Sequence, residues 1–563
     1  LLSGAASAFG LAPAPAPLET LQRGLIALRP DAGSVFITWR LLVTDPEGTA
    51  FNLYRSRDGG APERLNPAPL AGPTCFTDQN PGTGKLAYFV RPVWRGREFD
   101  PQPAFTLDAD APPRAYLEIP LQRPADGVTP SGKSFSYSAN DGSIGDLDGD
   151  GQHEFILKWE PSNAADNSRG GHTGHVLLDA YRLDGTRLWR IDLGKNIRAG
   201  AHYTQFMVYD FDGDGRAELV CKTADGTTDG TGQVIGDPAA NHYTEAGYIL
   251  RGPEFLTVFD GLTGAAIDTV AYIPPRHPDT LTPTGDQLKE LWGDGYGNRV
   301  DRFLAGVASL DGRTTSVIMA RGYYTRTVVA AWDLRDGKLV SRWVFDSHAG
   351  PAALRDYAGQ GNHQLSIADV DADGRDEIIY GAMTLDDDGT GLYTTRLHHG
   401  DALHVGDLDP TRPGLEVFSP HEAPGANGKI GASFRDARTG KVLWSTPAER
   451  DVGRGVAFDI DPRHPGAEAW AVNDPRLFNS KGRPIADKRP ASANFAVWWD
   501  GDAQRELLDR THINKWNYRD ATETRLLTAK DVSQNNGTKA NPVLSGDLFG
   551  DWRAADTERQ RPT

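Results

Sequence analysis

Asp146-Leu147-Asp148-Gly149-Asp150-Gly151-Gln152-His153-Glu154, followed at once by Phe155-Ile156-Leu157, is the stretch on which the fold of this chain turns. The pattern returns as Asp210-Phe211-Asp212-Gly213-Asp214-Gly215-Arg216-Ala217-Glu218 before Leu219-Val220-Cys221. It returns again as Asp369-Val370-Asp371-Ala372-Asp373-Gly374-Arg375-Asp376-Glu377 before Ile378-Ile379-Tyr380. Two variants carry a Pro-containing loop one residue longer: Asp407-Leu408-Asp409 with Glu416 before Val417-Phe418, and Asp459-Ile460-Asp461 with Glu468 before Ala469-Trp470. Alternate aspartates in a tight turn point their oxygens inward, and calcium takes roughly six to eight oxygens at about 2.3–2.6 Å. Glycine lets the chain turn sharply without a Cβ clash. All the Asp and Glu residues at these positions are therefore expected to ligate metal. The closing Glu stands at loop position nine, not about twelve, and leads into a strand, which excludes an EF-hand.

What remains is a strand–loop–strand calcium turn, as in integrin-like propellers. Loop starts at 146, 210, 369, 407 and 459 leave intervals of 64, 159, 38 and 52 residues. A four-stranded propeller blade takes about 40–50 residues. The two short intervals are then single blades, 64 is a blade with an inserted loop, and 159 holds about three. Strand signals at Leu188–Ile191, Leu256–Phe259 and Val328–Trp332 fall between them, beside turns at Asp184-Gly185, Asp260-Gly261 and Asp333. From about 131 to 553 there is room for eight blades.

Ahead of this region, Ser34–Trp39, Phe51–Arg55 and Ala87–Val93 alternate at period two between Gly, Pro, Asp and Asn turns. Residues 19–110 are expected to form a fibronectin type III-like β-sandwich. Residues 1–18, opening LLSGAASAFGLAPAPAP, have the small-residue composition of a processed leader, so a secreted protein, extracellular or periplasmic, is expected. The fold class is thus all-β: a sandwich followed by a calcium-stabilised eight-bladed β-propeller. A chain of 563 residues can bury a sizeable core. A formal charge of −17 argues against nucleic-acid or anionic-membrane partners. No run of about 18 apolar residues exists to span a bilayer. Cys75 and Cys221 are too few for a disulfide framework. A monomer is expected.

Several ordered blocks carry a resemblance. They are Arg23–Ala27, Ser138-Ala139-Asn140-Asp141, Lys158-Trp159-Glu160-Pro161-Ser162-Asn163, His202-Tyr203-Thr204-Gln205-Phe206, Gly359–His363, His399–Asp407 and Asn535-Asn536-Gly537-Thr538-Lys539. From about residue 19 to 553 the chain resembles rhamnogalacturonan lyases of polysaccharide lyase family 11. The resemblance implies an eight-bladed propeller with several calcium ions that cleaves the rhamnose–galacturonate backbone of pectin, rhamnogalacturonan I, by β-elimination.

That reaction needs a neutralised carboxylate, a base for the proton on the adjacent ring carbon, and help for the departing 4-oxygen. A bound cation supplies the first. A lysine among other positive charges can supply the second. By resemblance Lys539 is the base, and the turn Asn536-Gly537-Thr538 lines the substrate cleft. Asn140 and Glu160 match sugar-contacting positions; the family more often has Asp at the latter, which shifts that contact by one methylene. His363, His399, Asp401 and Glu422 match residues around a cleft calcium. Calcium prefers oxygen, so by ligand type zinc or manganese fits the pair of histidines as well. Trp159, Trp292, Tyr323 and Tyr324 are sugar platforms or, for the most part, propeller core.

The family block Gly546–Arg553 is present, but residues 554–563 form a polar tail without apolar periodicity. The expectation is an incomplete last blade, with unpaired strand edges and distal cleft residues missing. Two other readings stand beside the lyase: a non-catalytic calcium propeller that binds pectin or a surface partner, and a metal-assisted hydrolase using the His cluster.

Overall fold

The structure, a computed structural model, describes residues 20–114, 116–549, 555–557 and 559–560. The expected leader lies outside the described residues. Strands Ile26–Asp31, Ser34–Thr38 and Cys75–Asp78 form one sheet; Glu63–Arg64, Ala50–Arg57, Leu86–Trp94 and Arg97–Glu98 form a second, with Phe105–Leu107 added to it. Val35, Ile37 and Trp39 from the first side meet Leu53, Tyr88 and Val90 from the second, so the alternating residues fill the space between two sheets. This is the expected sandwich. Cys75 and Cys221 are both free thiols.

Among the described residues seven four-stranded antiparallel meanders follow in chain order, the first extended by two short strands. Their first strands are Tyr137–Gly145, Phe206–Tyr209, Phe303–Ala308, Ser366–Ala368, His404–Gly406, Gly455–Phe458 and Phe495–Val497. The first strands of blades 1 to 5 touch one another in sequence. Second strands such as Glu218–Ala224 and Ser316–Arg321 are buried throughout, because a neighbouring blade covers each face. Their nearly unbroken apolar runs are the sequence signature of that double burial. Last strands such as Thr522–Thr528 are exposed. The ring closes where Gly142 N donates to Val543 O at 2.9 Å and Asn535 Nδ2 donates to Asn140 O at 2.6 Å. This is the order of a propeller.

Two expectations are corrected. The 159-residue interval holds two blade steps, not about three. The surplus lies in one excursion inside blade 2, between Glu218–Ala224 and Glu254–Phe259, and another between blades 2 and 3 that contains the helix Gly285–Trp292. Thr284 and Gln287 cap it reciprocally and Gly293, at φ 97°, ends it. Blade 7 was not marked by any of the five recognised loops, so the described residues hold seven four-stranded blades and two further short pairs where eight blades were expected. Secondly, the polar tail pairs: Ala555–Thr557 runs antiparallel to Leu544–Gly546, and Arg559–Gln560 to Val532–Ser533. Ladder bonds come from the backbone and need no apolar side chain. The eighth blade is therefore two short pairs, and the edges expected to be bare are occupied there.

The sandwich seats on the ring beside the first Asp loop. Gln22 N donates to Gly151 O at 2.7 Å, and Arg40 Nη2 donates to Leu548 O at 3.1 Å. Gly24, at φ 54°, leaves room for Arg40; a Cβ there would run into the guanidinium. Among the described residues no helix is long and apolar enough to cross a membrane.

Candidate active site

The first strands of blades 2 to 7 are each preceded by a polar residue at the same end of the ring. His202 precedes blade 2, Arg302 blade 3, His363 blade 4, His399 and Asp401 blade 5, Arg454 blade 6 and Asn494 blade 7. The Asp–Glu loops leave the opposite ends of these strands. The chain thus sorts its carboxylates into two populations, remote from one another, by strand direction alone.

His363, His399, Asp401 and Glu422 come together with donor atoms within 4.8 Å of one another. His399 Nδ1 lies 2.7 Å from Gly361 O. A carbonyl only accepts, so Nδ1 carries the hydrogen and Nε2 keeps its lone pair. That Nε2 is buried without a hydrogen-bond partner, and so is Asp401 Oδ1. Tyr323 OH lies 3.0 Å from His363 Nδ1 and 3.5 Å from His202 Nδ1, and His202 Nε2 lies 3.5 Å from Asp166. A consistent assignment runs His363 Nδ1–H to Tyr323, Tyr323 O–H to His202, and His202 Nε2–H to Asp166, so the lone pair of His363 Nε2 faces Asp401 Oδ1 at 3.4 Å and the Tyr324 hydroxyl at 3.3 Å. Burial brings His399 down to about 4, and burial first, then Asp401, pushes Glu422 up to about 8. Two neutral imidazoles, two crowded carboxylates and two orphaned buried atoms fit a divalent cation.

Lys539 stands on an exposed 3₁₀ turn, Gly537–Lys539, between Asn536 and Ala540, both left-handed at φ 56° and 53°. Asn tolerates that region and Ala does not, so the surrounding contacts hold the turn in place. Lys539 Nζ reaches 3.4 Å from Asp401 Oδ2, and Arg454 Nη1 reaches 3.6 Å from the same oxygen. Asn494 Nδ2 contacts Thr538 O at 3.4 Å. Asn535 ties the turn to the strand carrying Asn140, and Glu160 lies on the adjoining strand, where Ser138 pairs with it. The turn Asn536–Lys539 thus reaches the metal cluster through Lys539, while Asn140 and Glu160 lie on the first two strands of blade 1. Trp159, Trp292 and Tyr323 are buried, while Tyr324 is partly exposed; the Arg299 guanidinium lies 4.1 Å over its ring.

At the other ends of the strands the full loops share one construction. Asp146 accepts from Gly149, Asp150 and Gly151 N at 2.8, 3.1 and 2.7 Å, and Glu154 Oε2 accepts from Leu147 N at 2.9 Å. The clusters formed are Asp146, Asp148 and Glu154; Asp210, Asp212, Asp214 and Glu218; and Asp369, Asp371 and Glu377, with Asp386 and Asp387 also facing Glu377. Asp150 and Asp373 turn instead to Gln152 and Arg375. Glu377 Oε1 and Asp371 Oδ1 are buried without partners. In the longer copies Asp407 is exposed, Asp409 is held by Lys481, and Arg463 clamps Asp461. Asp459 Oδ1 and Glu468 Oε1 have no hydrogen-bond partner. Sequence reasoning missed Arg454, Arg299 and Asn494 and named His202 only within a resembling block, without a role; their places before first strands were the available signal.

Comparison with known proteins agrees with this architecture. The family profile "Rhamnogalacturonan lyase family 11, C-terminal domain" matches residues 116–560, and "Rhamnogalacturonan I lyases beta-sheet domain" matches residues 16–107. The chain therefore belongs to rhamnogalacturonan lyase family 11 and is a polysaccharide lyase. It is 56% identical over 552 residues to the Bacillus subtilis rhamnogalacturonan exolyase YesX, covering 95% of this chain and 86% of that one. It is 54% identical over 536 residues to the rhamnogalacturonan endolyase YesW of the same organism, covering 95% and 82%. The solved YesW structure aligns with a TM-score of 0.90 at 53% identity, covering 97% of this chain and 89% of that one. The Bacillus licheniformis family 11 rhamnogalacturonan lyase gives 0.90 at 54% identity with the same coverage.

Proposed function

We propose that this lyase cleaves the backbone of rhamnogalacturonan I by β-elimination, outside the cytoplasm, with calcium in the full Asp–Glu loops and a divalent cation in the His–carboxylate cluster. The observation that carries the reading is Lys539 Nζ at 3.4 Å from Asp401, on the rim of that cluster. The two curated relatives, named as an exolyase and an endolyase of rhamnogalacturonan, support the substrate class.

His363, His399, Asp401 and Glu422 would hold the cation, which when bound neutralises the uronate carboxylate and makes the adjacent C5–H acidic. Lys539 takes that C5 proton. The electron pair forms the C4=C5 double bond as the C4–O bond breaks, and the departing oxygen collects a proton from the solvent that reaches this exposed turn. Arg454 adds positive charge beside Asp401, and the exposed turn Asn536–Thr538 presents polar groups to sugar hydroxyls.

The test follows ultraviolet absorbance of an unsaturated uronate during digestion of rhamnogalacturonan backbone, in calcium and in chelator. A calcium-dependent rise is expected. Saturated products would replace elimination with hydrolysis, and binding without turnover would make the protein a binding module. Secretion rests on the composition of residues 1–18; the protein is expected in the periplasmic or culture fraction of the cells that make it, and confinement to the cytoplasm would refute it.

A further inference from the structure

Blade 7 carries a sixth copy of the loop that the five-copy pattern leaves out. Trp499-Asp500-Gly501-Asp502-Ala503-Gln504-Arg505-Glu506 joins Phe495–Val497 to Glu506–Asp509, the same place in its blade that the residues from Leu147 to Glu154 hold in blade 1. Glu506 Oε2 accepts from Trp499 N at 2.8 Å, just as Glu154 Oε2 accepts from Leu147 N at 2.9 Å. In this register Trp498 replaces Asp146, so the carboxylate that gathers three backbone amides is absent.

The three remaining carboxylates already have a cation. Lys515 Nζ lies 3.0 Å from Asp500 Oδ1, 2.6 Å from Asp502 Oδ2 and 2.6 Å from Glu506 Oε1. Glu506 is fully buried and Lys515 only 20% exposed. The lysine comes from the third strand of the same blade, His512–Asn517, where the pairing of Leu507 with Asn514 sets Lys515 opposite Glu506. The corresponding place opposite Glu377 in blade 4 is Asp386, since Ile378 pairs with Leu385. Blade 4 thus enlarges its anionic set at the position where blade 7 cancels it. Blade 5 shows the same cancellation by another route: Lys481 Nζ, from the neighbouring blade, sits 2.6 Å from Asp409 Oδ1, and Arg412 Nη1 lies 3.4 Å from Glu416.

We propose that Lys515 and Lys481 are resident cations that close the loops of blades 7 and 5 against divalent metal. An ammonium supplies three donors and one positive charge, enough to hold two or three carboxylates that would otherwise repel one another. Calcium is then confined at this face to loops without such a lysine, and Asp407, Asp409 and Glu416 leave the set of expected ligands. The inference rests on the proposed calcium in the full loops, and the experiment separates the two.

Crystals of the full chain soaked in manganese or terbium would be examined for anomalous density, alongside metal counts on purified protein. Peaks are expected in the loops beginning at Asp146, Asp210 and Asp369, and none between Asp500, Asp502 and Glu506 or at Asp409. A peak at either lysine-bearing loop overturns the proposal. Absence of peaks at all loops instead overturns the calcium reading itself and removes the basis for this one. In solution D212N should lower the metal count, while D500N and D409N should leave it unchanged; a fall of one equivalent in either of the last two also overturns it. K515Q should lower the Tm in chelator, with recovery on adding calcium as the emptied loop becomes able to take metal. An unchanged Tm would show that the lysine closes nothing.

Discussion

Lys539 Nζ and Asp401 Oδ2 meet at 3.4 Å although 138 residues separate them. One belongs to the last blade and the other to the fifth, so the contact spans the mouth of the ring. It places the group proposed to remove a proton against a ligand of the group proposed to make that proton acidic. Lys539→Ala should cut kcat by about 10²–10⁴-fold while leaving KM and the metal count close to the parent. Steady-state rates of unsaturated-product formation measure it. A variant that keeps its kcat would remove Lys539 from the chemistry.

Tyr323 positions a ligand without being one. Its hydroxyl lies 3.0 Å from His363 Nδ1 and accepts from Arg302 Nη1 at 3.2 Å, while its ring is buried. Tyr323→Phe keeps the ring and removes the acceptor that fixes the imidazole. Metal affinity at the cluster should fall by about 10–100-fold, with little change in Tm. A manganese titration followed by electron paramagnetic resonance reads this directly; unchanged affinity would mean the hydroxyl does not set the orientation of His363.

The full loops predict an unusual pH response for metal-free protein. Burial, aided by neighbouring aspartates, pushes Glu154 up to about 7 and Glu218 and Glu377 up to about 8, from 4.5. A carboxyl raised in the folded state binds more protons there than in the unfolded chain. Its contribution is therefore complete below the unfolded value and is lost as pH rises through the folded one. In chelator, Tm should decline between about pH 5 and pH 9, and saturating calcium should flatten the decline. Scanning calorimetry across that range decides it; a chelated Tm that climbs with pH would contradict the burial argument.

Arg299 lies 4.1 Å over the Tyr324 ring and has no carboxylate partner among the described residues. Tyr324 in turn touches His399 and His363. An unpaired guanidinium on the rim of the cluster suits a polyanionic substrate. Arg299→Ala should raise KM about tenfold, the loss of one charged hydrogen bond, and leave kcat within about twofold. An unchanged KM would assign the guanidinium to packing on Tyr324 alone.

Much of this was legible in the residues. The loops announce themselves because alternating Asp and Gly is a local signal, complete within nine positions. The sandwich shows in the period-two alternation around Trp39 and Tyr88, both fully buried. The cleft was harder. Arg454, Asn494 and Arg299 are single residues in unremarkable surroundings, and only ring closure brings the first two near Lys539. The sixth loop hid because Trp498 replaced its first aspartate, and the helix Gly285–Trp292 because eight residues are too few for a clear period. The tail misled for a different reason: composition reports on side chains, whereas Ala555–Thr557 is placed by its backbone.

Ring closure through Asn535 and Asn140 also sets the order in which the protein can come to life. Those two residues are 395 positions apart, and ribosomes add about 5–20 residues per second, so roughly 20–80 s pass between their syntheses. Throughout that interval the first blade waits with an open edge, a template on which a neighbouring nascent chain could pair. The turn bearing Lys539 has nothing to lean on until the last blade arrives, and the first has no seal until then. The step that seals the barrel of blades is the same step that arms it, so an unfinished chain is both sticky and harmless to polysaccharide.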